Sequence, residues 1–233
     1  MIELNSIIKK YGRSTVLDIE HLQINKGQII GLLGNNGAGK TTLLRSILDL
    51  LNLDSGLVVI NGLKIQNSED WKNNISSYLD EGFLIPYLKP LEYFEFIGKA
   101  YNITQTDIQK QLKYLQEFLG KDVLRSEKYI KQYSKGNIQK IGIAAALMPD
   151  TQYVILDEPF ANLDPSSQNE LKYLIKKRHE EKNTCLIVSS HDLAHTKDLS
   201  HRIILLEDGK VRSNEITTPE YFTEIEKYFF KNR

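Results

Sequence analysis

Residues 34–41 read Gly-Asn-Asn-Gly-Ala-Gly-Lys-Thr and follow the apolar run Ile29-Ile30-Gly31-Leu32-Leu33 without a break. Glycines at this spacing let a backbone curl so that successive N–H groups point inward and form a concavity for anions. A helix starting near Lys40 adds the positive end of its dipole. That helix is expected over 41–51, because Leu44, Ile47, Leu48 and Leu51 fall on one side. Strand, glycine loop and helix together are the setting that G-x-x-x-x-G-K-[ST] requires to cradle nucleotide phosphates. The candidate cradle is Gly34, Asn35, Asn36, Gly37, Ala38, Gly39, Lys40, Thr41 and Thr42. Lys40 is placed to reach the β- and γ-phosphates, and the Thr41 hydroxyl to ligate Mg²⁺.

A second apolar run, Tyr153-Val154-Ile155-Leu156, ends in Asp157-Glu158. A strand so rich in apolar groups lies inside a sheet, and its end falls at the carboxyl edge where α/β folds bind ligands. Asp157 then suits a Mg²⁺ shell and Glu158 suits polarising a water.

Strands and helices alternate through the first and last thirds of the chain. Strand-like runs fall at 2–4, 16–19, 22–24, 28–33, 57–60, 153–156, 184–189 and 203–206, with turns at Tyr11-Gly12, Lys26-Gly27 and Asn61-Gly62 and a helix over 165–181. This alternation predicts an α/β fold with a mostly parallel sheet. The middle, from about 86 to 148, is helical in pattern, and Ile108, Leu112, Leu115 and Leu119 mark one buried face. It is expected to be a helical subdomain inserted into a single domain over 1–233.

Composition narrows the setting. Lys plus Arg is 30 and Asp plus Glu is 30, so no basic excess points to nucleic acid. The lone cysteine, Cys185, cannot pair within the chain or build a zinc cluster. It lies in Cys185-Leu186-Ile187-Val188 and is expected to be a buried hydrophobe. No run approaches roughly 18 apolar residues, and the N-terminus lacks a basic-then-apolar leader. A cytoplasmic protein is expected.

Three further segments are informative. Tyr133-Ser134-Lys135-Gly136-Asn137 opens a helix with Ser134 as N-cap, which makes a second candidate anion site. Asn162-Leu163-Asp164-Pro165 places proline at a helix start, and Ser189-Ser190-His191-Asp192 ends a strand. Taken in order, these segments resemble the ATP-binding cassette (ABC) ATPase family over nearly the whole chain. The resemblance implies a P-loop core, an antiparallel β subdomain near the N-terminus and the inserted helical subdomain. It implies ATP and Mg²⁺ as cofactors. Tyr11 is similar to the aromatic that stacks on adenine. Residues 34–42 are similar to the Walker A loop, and Asp157 and Glu158 to the end of the Walker B strand. Ser134, Gly136 and Asn137 are similar to the signature L-S-G-G-Q, Asp164 to the D-loop and His191 to the switch histidine. Lys135 stands where the signature has its first glycine, and Asn137 where it has glutamine. At the Q-loop the family's glutamine falls at Asp80 or Glu81; counting back from Pro86 favours Asp80, whose carboxylate could approach Mg²⁺.

The resemblance further implies two cassettes packed head to tail, each signature helix capping ATP on the other's Walker A loop. The second cassette is a copy of this chain or a paralogue. Separate transmembrane permease subunits would hold the cassette at the cytoplasmic face of the membrane, and the aromatic-rich stretch from Phe83 to Tyr101 is the candidate docking surface. The signature style, and the short tail carrying Tyr221-Phe222 and Tyr228-Phe229-Phe230, resemble the drug and antibiotic exporter branch. Two other classes compete: a soluble ABC ATPase of translation or DNA repair, and a nucleotide-dependent regulator that does not hydrolyse. The retained Glu158 and His191 weigh against the latter.

Overall fold

A computed structural model describes residues Met1–Gly120 and Asp122–Lys231, with side chains as far as Tyr228; the expected Phe229-Phe230 pair lies outside the described side chains. The elements run β1 (Ile2–Tyr11), β2 (Ser14–Ile24), β3 (Ile29–Leu33), α1 (Lys40–Ile47), β4 (Ser55–Ile60), β5 (Leu63–Lys64), β6 (Ile75–Tyr78), α2 (Pro90–Ala100), α3 (Gln105–Leu119) and α4 (Lys135–Leu147). They continue with β7 (Tyr153–Leu156), α5 (Pro165–Lys182), β8 (Cys185–Ser190), α6 (Leu193–Lys197), β9 (Arg202–Glu207), β10 (Lys210–Ile216) and α7 (Pro219–Lys231). The chain forms two compact units, one of Met1–Trp71 with Cys185–Arg233 and one of Lys72–Thr184.

The first unit holds an antiparallel sheet in the order β2-β1-β4-β5. β1 and β2 form one long hairpin whose ladder closes at Tyr11 and Ser14, so the short runs expected at 2–4, 16–19 and 22–24 are parts of two strands. Between β4 and β5, Asn61 and Gly62 have φ of 52° and 83°, the doubly left-handed turn that matches the twist of a tight hairpin. The same unit carries β3 in parallel register with both β8 and β9, with β10 antiparallel along β9. β3 and β8 are buried along their whole length, as continuous apolar runs in a parallel sheet require. Tyr221, Phe222 and Ile225 of α7 pack on Leu33, Ile203 and Leu205.

The helix expected over 41–51 ends at Ile47. Asp49 turns left-handed at φ 54°, and its N–H donates to Ser46 O, closing the helix before Leu51 is reached.

In the second unit β6 and β7 run parallel, and α2, α3 and α4 fall within residues 86–148. The face expected on α3 is buried: Ile108, Leu112, Leu115 and Leu119 are each at most 2% exposed. α3 starts at the cap Thr104, whose hydroxyl accepts from Asp107 N–H at 3.2 Å. Among the aromatics of 83–101, Tyr93 and Phe94 are core, whereas Phe83, Tyr87 and Phe96 are half or more exposed. Tyr101 donates its hydroxyl to Ile75 O at 2.8 Å. Among the described residues no helix is long and apolar enough to cross a membrane.

Candidate functional site

The glycine loop lies in the first unit. A Cβ on Gly34 would stand 2.5 Å from Leu206 O, so a side chain there would collide with β9 as the chain leaves β3. A Cβ on Gly39, at φ +101°, would stand 2.9 Å from Val16 O, and this residue is the N-cap of α1. A glycine cap supplies no side-chain acceptor to the first turn of α1, and a helix start of this kind is suited to an anion. Lys40 is 6% exposed. Its stem folds back over the loop, and Nζ donates to Gly34 O at 2.7 Å and to Asn35 O at 3.4 Å. The ammonium is thereby held across the mouth of the cradle. Thr41 and Thr42 follow, both half-buried in the first turn, while Asn35, Asn36 and Gly37 are exposed along the loop and Ala38 is buried.

Tyr11 and His191 belong to the same unit. Tyr11 closes the β1–β2 hairpin, is 54% exposed and has Lys9 Nζ 5.1 Å from its ring centroid. His191 follows β8 at an exposed turn. Ser190 Oγ and the Asp192 backbone bond each other across it, each at 2.9 Å, and Asp192 caps α6 through Ala194 N–H at 2.8 Å. The histidine is therefore presented by a pinned turn.

The acidic residues lie in the second unit. Tyr78 and Leu156 are register partners, and Asp157 N–H donates to Tyr78 O at 2.9 Å. Asp80 and the pair Asp157-Glu158 consequently leave neighbouring strands at one edge. They line a cavity of about 240 Å³ that also takes in Glu81, Lys135 and Asn162. Asp157 is 5% exposed. Glu158 has φ +46°, a left-handed backbone costly for a residue with a Cβ. Asp80 Oδ1 accepts from Gly82 N–H at 2.8 Å. Burial pushes the Tyr78 hydroxyl well above its ordinary range, with the carboxylates of Glu81 and Asp80 adding to the rise, so the ring stays a neutral wall.

Ser134 is the N-cap of α4, and its Oγ accepts from Asn137 N–H at 3.4 Å. Gly136 occupies the first turn. Asp164 caps α5 by accepting from Ser167 N–H at 3.0 Å. Hydrogen bonds from the Ser167 hydroxyl and then its N–H hold the Asp164 carboxyl below the usual range. Sequence reasoning passed over Gln139, which lines the cavity and is 5% exposed. Its signal was an amide among the apolar residues of α4.

Among the described residues no group of three or more His, Cys, Asp or Glu could hold a metal ion. Mg²⁺ takes one or two protein oxygens and fills its shell with phosphate and water. The hydroxyl of Thr41 and the carboxylate of Asp157 are hard donors of that kind.

An α/β fold whose buried strand runs into this glycine loop defines a P-loop nucleotide-binding protein. Residues 17–161, more than half of the chain, match the family model described as ABC transporter. The linearmycin resistance ATP-binding protein LnrL of Bacillus subtilis (strain 168) is 32% identical over 212 residues, covering 91% of this chain and 68% of that protein. The sulfate/thiosulfate import ATP-binding protein CysA of Nocardia farcinica is 31% identical over 220 residues, covering 94% of this chain and 66% of that one. The chain thus spans about two thirds of the length of these relatives. A solved dimer of the ATP-binding cassette MJ0796, in a post-hydrolysis state with ADP and Pi, superimposes with a TM-score of 0.82 at 26% identity, covering 93% of this chain and 98% of that one. The chain belongs to the ABC transporter family and is an ABC-type ATPase.

Proposed function

We propose that this chain is the ATP-binding subunit of an exporter, driving separate membrane-spanning subunits from the cytoplasmic face by ATP-dependent closure of two cassettes. The observation that carries the reading is the loop itself: a glycine-capped helix start with the Lys40 ammonium folded across its mouth. Tyr11 offers an exposed ring on which adenine stacks. The N–H groups of residues 34–42 and Lys40 hold the phosphates. For Mg²⁺ the first unit would offer the Thr41 hydroxyl and the second the carboxylates of Asp157 and Asp80; the ion would supply positive charge to offset that of the phosphates. Glu158 accepts a hydrogen bond from the attacking water and orients it, and His191 bonds the γ-phosphate. Ser134, Gly136 and Asn137 at the start of α4, with Asp164, complete the site of a second cassette, either another copy or a paralogue.

Export is favoured by likeness to a resistance protein, although an import protein is similar at nearly the same level. Phe83, Tyr87 and Phe96, exposed on the second unit, are the docking residues for the membrane subunits. The test is co-expression with the multi-span membrane proteins of neighbouring genes. Inside-out vesicles should then bind the chain and concentrate cargo in their lumen on addition of ATP. Accumulation only in right-side-out vesicles carrying ATP inside would mean import, and ATPase activity that never associates with membranes would remove the transport reading.

A further inference from the structure

We propose that Gln139 is a positioning residue for Glu158, through which the helix beginning at Ser134 sets the placement of the glutamate on its own chain. The inference rests on the reading of Glu158 as the residue that orients the attacking water.

Gln139 is buried in a helix whose other buried residues are small or apolar. A buried amide is tolerated where its polar atoms are bonded, and the partners of this one, Glu158, Pro159 and Asn162, lie on a single loop. Nε2 donates to Pro159 O at 2.7 Å and reaches Glu158 O at 3.4 Å. Oε1 accepts from Asn162 Nδ2 at 3.4 Å. That loop contains two non-glycine residues in the left-handed region, Glu158 at φ +46° and Asn162 at φ +55°. Such conformations persist where surrounding contacts over-determine them. Within the loop, Ala161 N–H donates to Glu158 O at 3.2 Å; the bonds from Gln139 fix the loop from outside.

Two neighbours on α4 reinforce the grip. Gly136, one turn earlier on the same face, comes so near that a Cβ would stand 2.8 Å from Asn162 O. Lys140 Nζ lies 3.9 Å from Asp164 Oδ2. One helix therefore holds the loop at its start, its middle and its end. A helix moves as a rigid rod, so a shift of α4 when Ser134 meets a nucleotide on the second cassette carries the carbonyls flanking Glu158 with it. Capture of ATP at one site thereby adjusts the water-orienting glutamate of the other.

The experiment compares the full chain with Gln139→Met, which keeps length and removes the donor, and with Asn162→Gly, which keeps the left-handed backbone and removes the Nδ2 bond. ATP affinity should stay within about threefold, less than half a decade in binding constant. Turnover at saturating ATP should fall by about 10- to 100-fold for Gln139→Met, the scale of a misplaced catalytic group, and by a smaller factor for Asn162→Gly. Combined with Glu158→Gln, Gln139→Met should cause no further loss, because two residues acting as one unit are not additive. Parental turnover in both variants, or losses that multiply with that of Glu158→Gln, would overturn the proposal. Should Gln139→Met fail to fold, the same comparisons with Asn162→Gly decide. Parental turnover in Glu158→Gln itself would instead remove the reading of Glu158, a separate result.

Discussion

Leu33 and Ser190 are Cα partners in the parallel ladder of β3 and β8, so Gly34 and His191 leave the sheet as neighbours at one edge. The lysine of the loop, Lys40, and His191 are nevertheless expected to do different work. Lys40→Ala removes the cation folded over the loop and should weaken ATP binding by about 10-fold or more, the worth of a hydrogen bond to a charged group. His191→Ala should leave affinity nearly unchanged and lower turnover, since its proposed contact is with the γ-phosphate. Equilibrium titration with a fluorescent ATP analogue, alongside phosphate release, separates the two. Equal affinity in Lys40→Ala would contradict the assignment of the loop.

Glu158→Gln should retain ATP binding and trap the closed dimer. Size-exclusion chromatography with ATP is expected to show a dimer, and phosphate release to slow by about 100-fold or more, within the range for loss of a positioned acid–base group. Unchanged turnover would take Glu158 out of the mechanism.

Asp80 is already tied by Oδ1 to Gly82 N–H, which holds its carboxylate at the cavity shared with Asp157. Because an ionised carboxylate only accepts hydrogen bonds, it suits the metal side of the site better than the γ-phosphate. Asp80→Gln should keep nucleotide affinity within about tenfold, roughly 1.4 kcal/mol, while changing the Mg²⁺ concentration needed for half-maximal turnover. Superimposable curves of rate against Mg²⁺ would show that Asp80 is remote from the metal.

Cys185 is fully buried in β8, and desolvation pushes its thiol from the ordinary 9.0 to about 12. A group whose folded pKa is raised contributes stability below its unfolded pKa and loses it as pH climbs toward the folded value. Stability should therefore decline between about pH 9 and 12, and Tyr93 and Tyr114, both pushed by burial to about 12, act in the same direction. A thiol reagent at pH 8 should leave the native chain unmodified and label it fully in urea. Rapid labelling without denaturant would mean that β8 opens readily.

The loop 34–41 and the strand ending at Asp157 were legible because each couples a buried apolar run to a change of chemistry at its end. Less visible were β6 and β10. β6 is only Ile75-Ser76-Ser77-Tyr78, and Ser76 is buried because its hydroxyl donates to Ala146 O at 2.7 Å. β10 reads Lys-Val-Arg-Ser-Asn-Glu-Ile, a polar edge strand held by its ladder to β9. The aromatic stretch 83–101 divided between core and surface in a way that helical spacing alone did not settle for Tyr93 and Phe96. Gln139 escaped because hydrogen bonds to backbone carbonyls twenty residues away leave no pattern in composition.

The left-handed backbone at Glu158 has a consequence for how such a chain drifts under mutation. Glycine, asparagine and aspartate tolerate that conformation more readily than glutamate, whereas valine, isoleucine and threonine resist it. Replacement by one of the first three relieves the backbone and, on the proposed role of Glu158, draws the side chain back from the water. One substitution would then turn the proposed cycle of closing and reopening into closure alone.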